Sequence, residues 1–342
     1  MQKISISHLS NFLTGSLLAC GLSSTDSATA ADVVMRATLR GVGHHDVNDF
    51  PGRLKALIDG SIPVSPVYTP LAAFAGMESW DGGGALGELV CTYAMDRAMA
   101  LADVHGMGLC AVRHSNHFLA AAPYVERACE KGYVAMLLCK GGPSMGAPGR
   151  TDKTIGALPM GFAFPTNEGY PVMLDACMAY ASFGLLNEKI KAGKSIPAHW
   201  GLDSDGNPTE DPAAVANGTR MPIGGHKGFG LAILGEVLTS LLSQGCVVDE
   251  VDRINGQKAP TSHTAIAIKA GALLPEGEFT ARTSEIVQRM EKRSPGLHVP
   301  GQGSHNARVA MEKAGCIELD KGLIEQLNEL GARLGMAPAS LL

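Results

Sequence analysis

From Leu86 to Leu334 segments of helical hydrophobic period alternate with short apolar runs of strand length, and few architectures other than layered α/β accept such a pattern. Leu86, Leu89, Val90, Tyr93, Ala94, Ala98 and Leu101 fall on one helical face, and the run Gly108 to Val112 follows as a buried strand. A helix over 119–131 leads into a strand over 133–139. Further strands are predicted over 161–165, 171–174 and 264–268, and further helices over 179–192, 228–242, 280–292 and 321–334. The first seventy residues read differently, as helices alone. Leu9, Phe12, Leu13, Leu17 and Cys20 keep amphipathic spacing, Ser24 to Asp26 cap a helix running toward Gly41, and Phe50, Leu54, Leu57 and Ile58 share a face that ends at Gly60. Pro63, Pro66 and Pro70 then form an extended connector, the first expected domain boundary.

What is missing narrows the function. No G-x-G-x-x-G follows a strand, so the ordinary Rossmann reading fails. Gly193-Lys194-Ser195 lacks the upstream glycine of a phosphate loop because position 188 is Glu, and H-E-x-x-H and G-x-S-x-G are absent. A formal charge of −5 leaves no basic surplus for a phosphate backbone, which argues against nucleic acid as the main partner. No apolar stretch reaches the roughly 20 residues a membrane span needs. Leu17 to Cys20 and Ala28 to Ala30 look like export cleavage boxes, but Asn11, Thr14, Gly15 and Ser16 interrupt the apolar stretch. Eight scattered cysteines without a C-x-x-C pair read as small buried hydrophobes in a reducing compartment, so the expected location is the cytoplasm.

Five local groupings can carry chemistry, each with a plain structural reading beside it. The His-rich loop Arg40 to Pro51, which holds His44, His45 and Asp49, offers an acid/base near neutrality or is merely a solvated connection. Arg113-His114-Ser115-Asn116-His117-Phe118 follows a strand end, where side chains line clefts in α/β proteins; His114 and His117 as a zinc pair lack further ligands. Lys140 to Gly149 is a turn-rich loop that approaches a nucleotide or simply joins strands. Gly224-Gly225-His226-Lys227-Gly228 opens an apolar helix whose first N–H groups suit a phosphate. Finally, His298 to Ser304, with Gly301, Gln302 and Gly303, leads into another helix and suits the second half of a dinucleotide.

In this order the groupings resemble the malate/L-lactate dehydrogenase type 2 family. The matches are Arg40-Gly41-Val42 with His45, Val47 and Pro51; Ser115-Asn116-His117-Phe118; Asp175 after an apolar strand; Pro197 with Trp200, Asp203, Asp205-Gly206 and Pro208-Thr209; and Gly224 to Gly228. The Glu78 to Asp81 stretch looks closest to the diketogulonate reductase branch, and Gly225 to Gly228 also to the cyclic imine reductase branch. The resemblance implies a non-Rossmann layered α/β NAD(P)-binding and catalytic domain over 71–299, with a helical subdomain from 1–70 plus 300–342. It implies NAD or NADP as cofactor, a homodimer, and hydride transfer at C2 of a small 2-oxo or 2-hydroxy acid or a related cyclic imine. His45 would carry the proton and His117 would face substrate or nicotinamide. Cofactor contacts would fall on Met173, Leu174, Asp175, Ala176 and Cys177, on His226 and Lys227, and on Gly301, Gln302 and Gly303. The chain also departs from that pattern. Where the family reads Ser-His-Gly-Val and then Arg, this sequence has His44-His45-Asp46-Val47 and then Asp49, which puts the substrate carboxylate's partner in doubt and leaves Arg53, one turn along, or Asp49 itself to meet the substrate. A non-catalytic nucleotide-binding protein on the same scaffold is the reading from a different class.

Overall fold

In the computed structural model, which describes residues 1–251, 260–275 and 277–336, the alternation builds a seven-stranded mixed sheet. Its order is Thr69–Phe74, Met77–Asp81, Met107–Ser115, Thr261–Lys269, Tyr133–Lys140, Met160–Phe164 and Val172–Ala176. Only Met77–Asp81 and Met107–Ser115 run parallel; every other neighbouring pair is antiparallel. The doubly wound parallel order that accompanies a G-x-G-x-x-G loop is therefore not formed.

The helix Gly87–His105 and the helix Ala122–Glu130 cover one face of this sheet, and a continuous apolar cluster joins them to it through Val90, Met95, Val112, Tyr124, Leu137 and Ala265. The same cluster extends to Leu9, Leu13 and Leu17 of the first helix, Ile6–Ala19, and to Leu323 and Leu327 of the last, Lys321–Arg333. The first strand, Gln2–Ser5, pairs antiparallel with Cys316–Leu319, just before the last helix. A second, four-stranded sheet holds Gly201–Leu202, Thr219–Arg220, Met145–Gly146 and Lys153–Ile155. The turn-rich loop after Lys140 is thus stitched into a small sheet, with Ser144 accepting a hydrogen bond from Arg220 Nε through its carbonyl oxygen at 3.3 Å.

Most predicted elements form within a few residues of their expected bounds, for example Phe50–Ile58, Glu278–Arg293 and Gln302–Ala314. Two differences have clear causes. Pro70 lies inside a strand rather than a connector, which its missing N–H allows because Thr69–Phe74 is the outermost strand of the sheet. The helix expected over 179–192 begins only at Phe183, capped by the Ser182 hydroxyl, which accepts from Leu185 N–H at 3.1 Å. None of the described helices is long and apolar enough to cross a membrane.

Candidate active site

The short 3-10 turn Val47–Asp49 and the helix Phe50–Ile58 that follows fix the geometry of the His-rich loop. Val47 and Phe50 anchor in the core, and Asp46 closes the loop by accepting from the backbone N–H groups of Gly43 and Asn48, both at 2.9 Å. With the backbone pinned, His45 and Asp49 lie one turn apart, and His45 Nδ1 is 3.2 Å from Asp49 Oδ2. That contact places the proton on Nδ1 and leaves the lone pair on Nε2 of His45. Burial disfavours the charged Asp49, yet the His45 hydrogen bond and the nearby Arg53 guanidinium hold its carboxyl below the usual range.

His117 arrives from the end of the Met107–Ser115 strand, and its ring centroid lies 4.8 Å from that of His45. Arg53, one turn beyond Asp49, directs Nε to Glu88 Oε1 and Nη2 to His117 Nδ1, both at 2.9 Å, while Nη1 stays 3.8 Å from Asp49. Confinement lowers the His117 imidazole to about 3, helped by the adjoining Arg53 and His45. His44 points the other way, its Nε2 3.2 Å from the Ser182 hydroxyl. Gly184 makes room for it: a Cβ there would fall 2.1 Å from the His44 ring. Burial, followed by the charge of His45, lowers the His44 pKa.

His45, Asp49 and His117 offer ligand atoms within 4.8 Å of one another, the spacing of a three-ligand metal site. The donor chemistry does not fit one, because a ligating imidazole needs a free lone pair and His117 Nδ1 already accepts from Arg53 and from Leu119 N–H at 3.2 Å. His114, the other half of the zinc pair weighed from sequence, sits 3.0 Å from Asp81 instead.

The three segments expected to meet a dinucleotide meet one another along one stretch of backbone. Met173 donates its N–H to Pro300 O at 3.0 Å, and Gly301, in the left-handed region, packs so tightly there that a Cβ would lie 2.8 Å from Pro171 O. Five residues further, Ile223 N–H donates to Met178 O at 2.9 Å, which sets the start of the helix His226–Glu236 beside Cys177. That helix start has no side-chain cap; the N–H groups of Lys227 and Gly228 donate instead to Gly224 O at 3.3 Å and Ile223 O at 2.9 Å, and the Lys227 side chain is exposed beside them. Asp175 Oδ2 accepts from Ala122 N–H at 2.7 Å at the start of the Ala122–Glu130 helix; confinement raises its carboxyl, and His45 is near enough for its charge to oppose that rise. Leu174 and Ala176 share the Asp175 strand, while Gln302 and Gly303 begin the helix after Gly301. His226 and Lys227 are exposed, and no contact joins them to the His45, Asp49 and His117 group among the described residues.

A sequence model of the malate/L-lactate dehydrogenase family matches residues 4–328. The chain belongs to the malate/L-lactate dehydrogenase family. It is an oxidoreductase of the dehydrogenase or reductase type that uses NAD or NADP. A 2,3-diketo-L-gulonate reductase of Klebsiella pneumoniae is 32% identical over 288 residues, 84% of this chain and 86% of the relative. Among solved structures, sulfolactate dehydrogenase from Methanocaldococcus jannaschii superposes with a TM-score of 0.88 at 28% identity, covering 98% of each chain. Δ1-piperideine-2-carboxylate reductase from Pseudomonas syringae gives 0.87 at 25% identity over 96% of this chain and 100% of that one. These likenesses bear out the family resemblance and the layered α/β fold read from the sequence.

Sequence reading missed Glu88, Ser182 and the N–H groups of Leu119 and Ala122. Only Glu88 left a signal, as a lone acid inside the apolar run Leu86 to Val90, where an unpaired carboxylate is not tolerated.

Proposed function

We propose that this member of the family reduces C2 of a small 2-oxo acid of the sugar-acid type, or oxidises the matching 2-hydroxy acid, with His45 as the proton carrier. The supporting observation is the His45–Asp49 pair, which leaves His45 Nε2 free beside His117. Bound NADH or NADPH would supply the hydride. His45 Nε2 would give its proton to the oxygen that becomes the hydroxyl, and Asp49 would steady the charged imidazole before transfer. Met173 to Cys177, Gly301 to Gly303, His226 and Lys227 would hold the dinucleotide. The 32% identity to a diketogulonate reductase supports the sugar-acid reading only modestly.

A cyclic imine is the second reading, and Asp49 is what favours it. Its carboxylate beside His45 would attract the cationic nitrogen of an imine substrate. Arg53 is less available to a substrate carboxylate than the sequence implied, since its Nε and Nη2 already have protein partners. His44, tied to Ser182, would shape the substrate end of the cleft.

Nicotinamide absorbance on a panel of 2-oxo acids and cyclic imines, combined with cofactor titration by fluorescence, tests the reading. His45→Ala should lower kcat by roughly 100- to 10,000-fold with cofactor Kd near wild type. Lys227→Ala should weaken cofactor binding by roughly 10- to 150-fold, the value of a charge-assisted phosphate contact. A His45→Ala enzyme that kept more than about a tenth of kcat would remove His45 from the chemistry.

The same proposal includes the homodimer, with 1–70 and 300–342 acting together as a helical subdomain, and a cytoplasmic setting, in line with a sequence that has no C-x-x-C pair. Leu231, Ile233, Leu234, Val237 and Leu241, on one helical stretch, are each more than 40% exposed, an apolar surface that a second copy would cover. Light scattering should give twice the chain mass; a monomeric mass at micromolar concentration would refute the dimer.

A further inference from the structure

Resting on that reading of the cleft, we propose that Arg53 is a positioning residue which locks His117 as a neutral imidazole with its proton on Nε2. His117 then serves as a fixed hydrogen-bond donor to a substrate oxygen, while His45 with Asp49 moves the proton. The division of labour follows from which nitrogens are already engaged. An arginine and a backbone amide only donate, so when Arg53 Nη2 at 2.9 Å and Leu119 N–H at 3.2 Å both approach His117 Nδ1, that nitrogen must carry the lone pair. The proton is left on Nε2. His45 shows the reverse arrangement, since Asp49 only accepts and draws the proton to Nδ1. Two neighbouring imidazoles thus leave the same nitrogen, Nε2, in opposite states, an N–H donor on His117 and a lone pair on His45.

The groups around His117 maintain that state. Arg53 and His45 oppose a second proton on it, His263 does so from behind, and Asp49 is the one carboxylate that favours it. Glu88, buried and bonded to Arg53 Nε, holds the guanidinium in place and keeps the Arg53 charge from standing alone. A neutral imidazole is a useful electrophile because it polarises a carbonyl without competing for the transferred proton. Arg53 therefore acts through His117.

Long-range nitrogen–proton correlation spectra of uniformly 15N-labelled, cofactor-free protein test this directly, with His117→Gln identifying the His117 signals. The expected result is the Nε2–H tautomer without titration from about pH 5 to 8, the range in which an ordinary imidazole changes charge. In Arg53→Met/Glu88→Gln, which removes the donor without stranding a buried carboxylate, His117 should lose its fixed Nε2–H preference and its titration should move upward, confinement and His45 still holding it below the ordinary imidazole. The kcat profile should gain an ionisation in the same range and fall by about tenfold or more at its acid side, with KM changing less. Arg53→Lys, which keeps a donor and a charge, should restore part of the tautomer preference. A wild-type His117 that carries its proton on Nδ1, or titrates near 6.5, overturns the proposal. So does a folded double variant with an unchanged His117 spectrum. Because the spectra need neither substrate nor turnover, a protein inactive on every 2-oxo acid would defeat the proposed activity while leaving the tautomer result to stand or fall separately.

Discussion

Among the described residues, the pairs Arg40–Glu126 and Arg53–Glu88 each join helices through a buried glutamate, and they end in opposite ways. Arg40 meets Glu126 through Nε at 2.9 Å, and the same carboxylate is shared with Arg308 at 2.9 Å and Arg36 at 3.7 Å, while Arg40 Nη1 donates to the Ser304 hydroxyl at 3.0 Å. Every partner in that cluster is a structural group, so it pins together the helices Ser24–Leu39, Ala122–Glu130 and Gln302–Ala314. Arg53 and Glu88 begin the same way, but the remaining hand of the guanidinium reaches an imidazole in a cleft. Residue type is the same in both; what decides the role is the third partner.

The largest effect should come from breaking the closed cluster. Glu126→Ala would leave Arg40, Arg308 and Arg36 facing one another without their shared anion, a loss of about 3–5 kcal/mol in unfolding free energy by urea titration. Turnover per folded molecule should stay within about twofold of wild type, and a variant of normal stability but altered kcat would erase the distinction between the two pairs. A smaller effect should separate the open pair by pH. His117 and the fully buried His263 are lowered to about 3 and about 4, His263 by burial, and Nδ1 of His263 finds no partner among the described residues. Both have folded values below the unfolded imidazole at about 6.5, so the unfolded chain binds more protons below that point. The His263 contribution is complete above about 6.5 and is lost as pH falls toward 4, at up to about 1.4 kcal/mol per pH unit; His117, whose ring is open to solvent, acts in the same direction with less weight. His263→Leu should flatten that slope, which urea midpoints at a series of pH values would show; an unchanged slope would mean His263 accepts its proton without penalty.

The core and the candidate site were legible in the sequence to different degrees. Helices with apolar faces, such as Gly87–His105, and buried strands, such as Met107–Ser115, were read from period alone because burial selects apolar side chains at fixed spacing. Thr69–Phe74 was not, since an exposed edge strand has no buried face to impose alternation. His45 and His117 could be singled out by residue type, but their opposite tautomers depend on Asp49, Arg53 and a backbone amide that converge only in three dimensions. The carboxylate at Asp49 was read as a departure from relatives. The structure shows Asp49 hydrogen-bonded to His45.

The order of strands in the large sheet has a further consequence, for the history of each molecule rather than its chemistry. Thr261–Lys269 is last of the seven in the chain yet lies fourth across the sheet, between Met107–Ser115 and Tyr133–Lys140. Until it is synthesised, both of those strands present an unpaired inner edge, rich in Leu109, Val112, Leu137 and Leu138. Unsatisfied strand edges of this kind are templates for association with other chains. Closure also requires contacts more than a hundred residues apart in sequence, a topology that slows folding. A nascent chain of this protein therefore carries its sheet in two parts from the completion of Lys140 until Thr261 is added, and the strand that joins them arrives late.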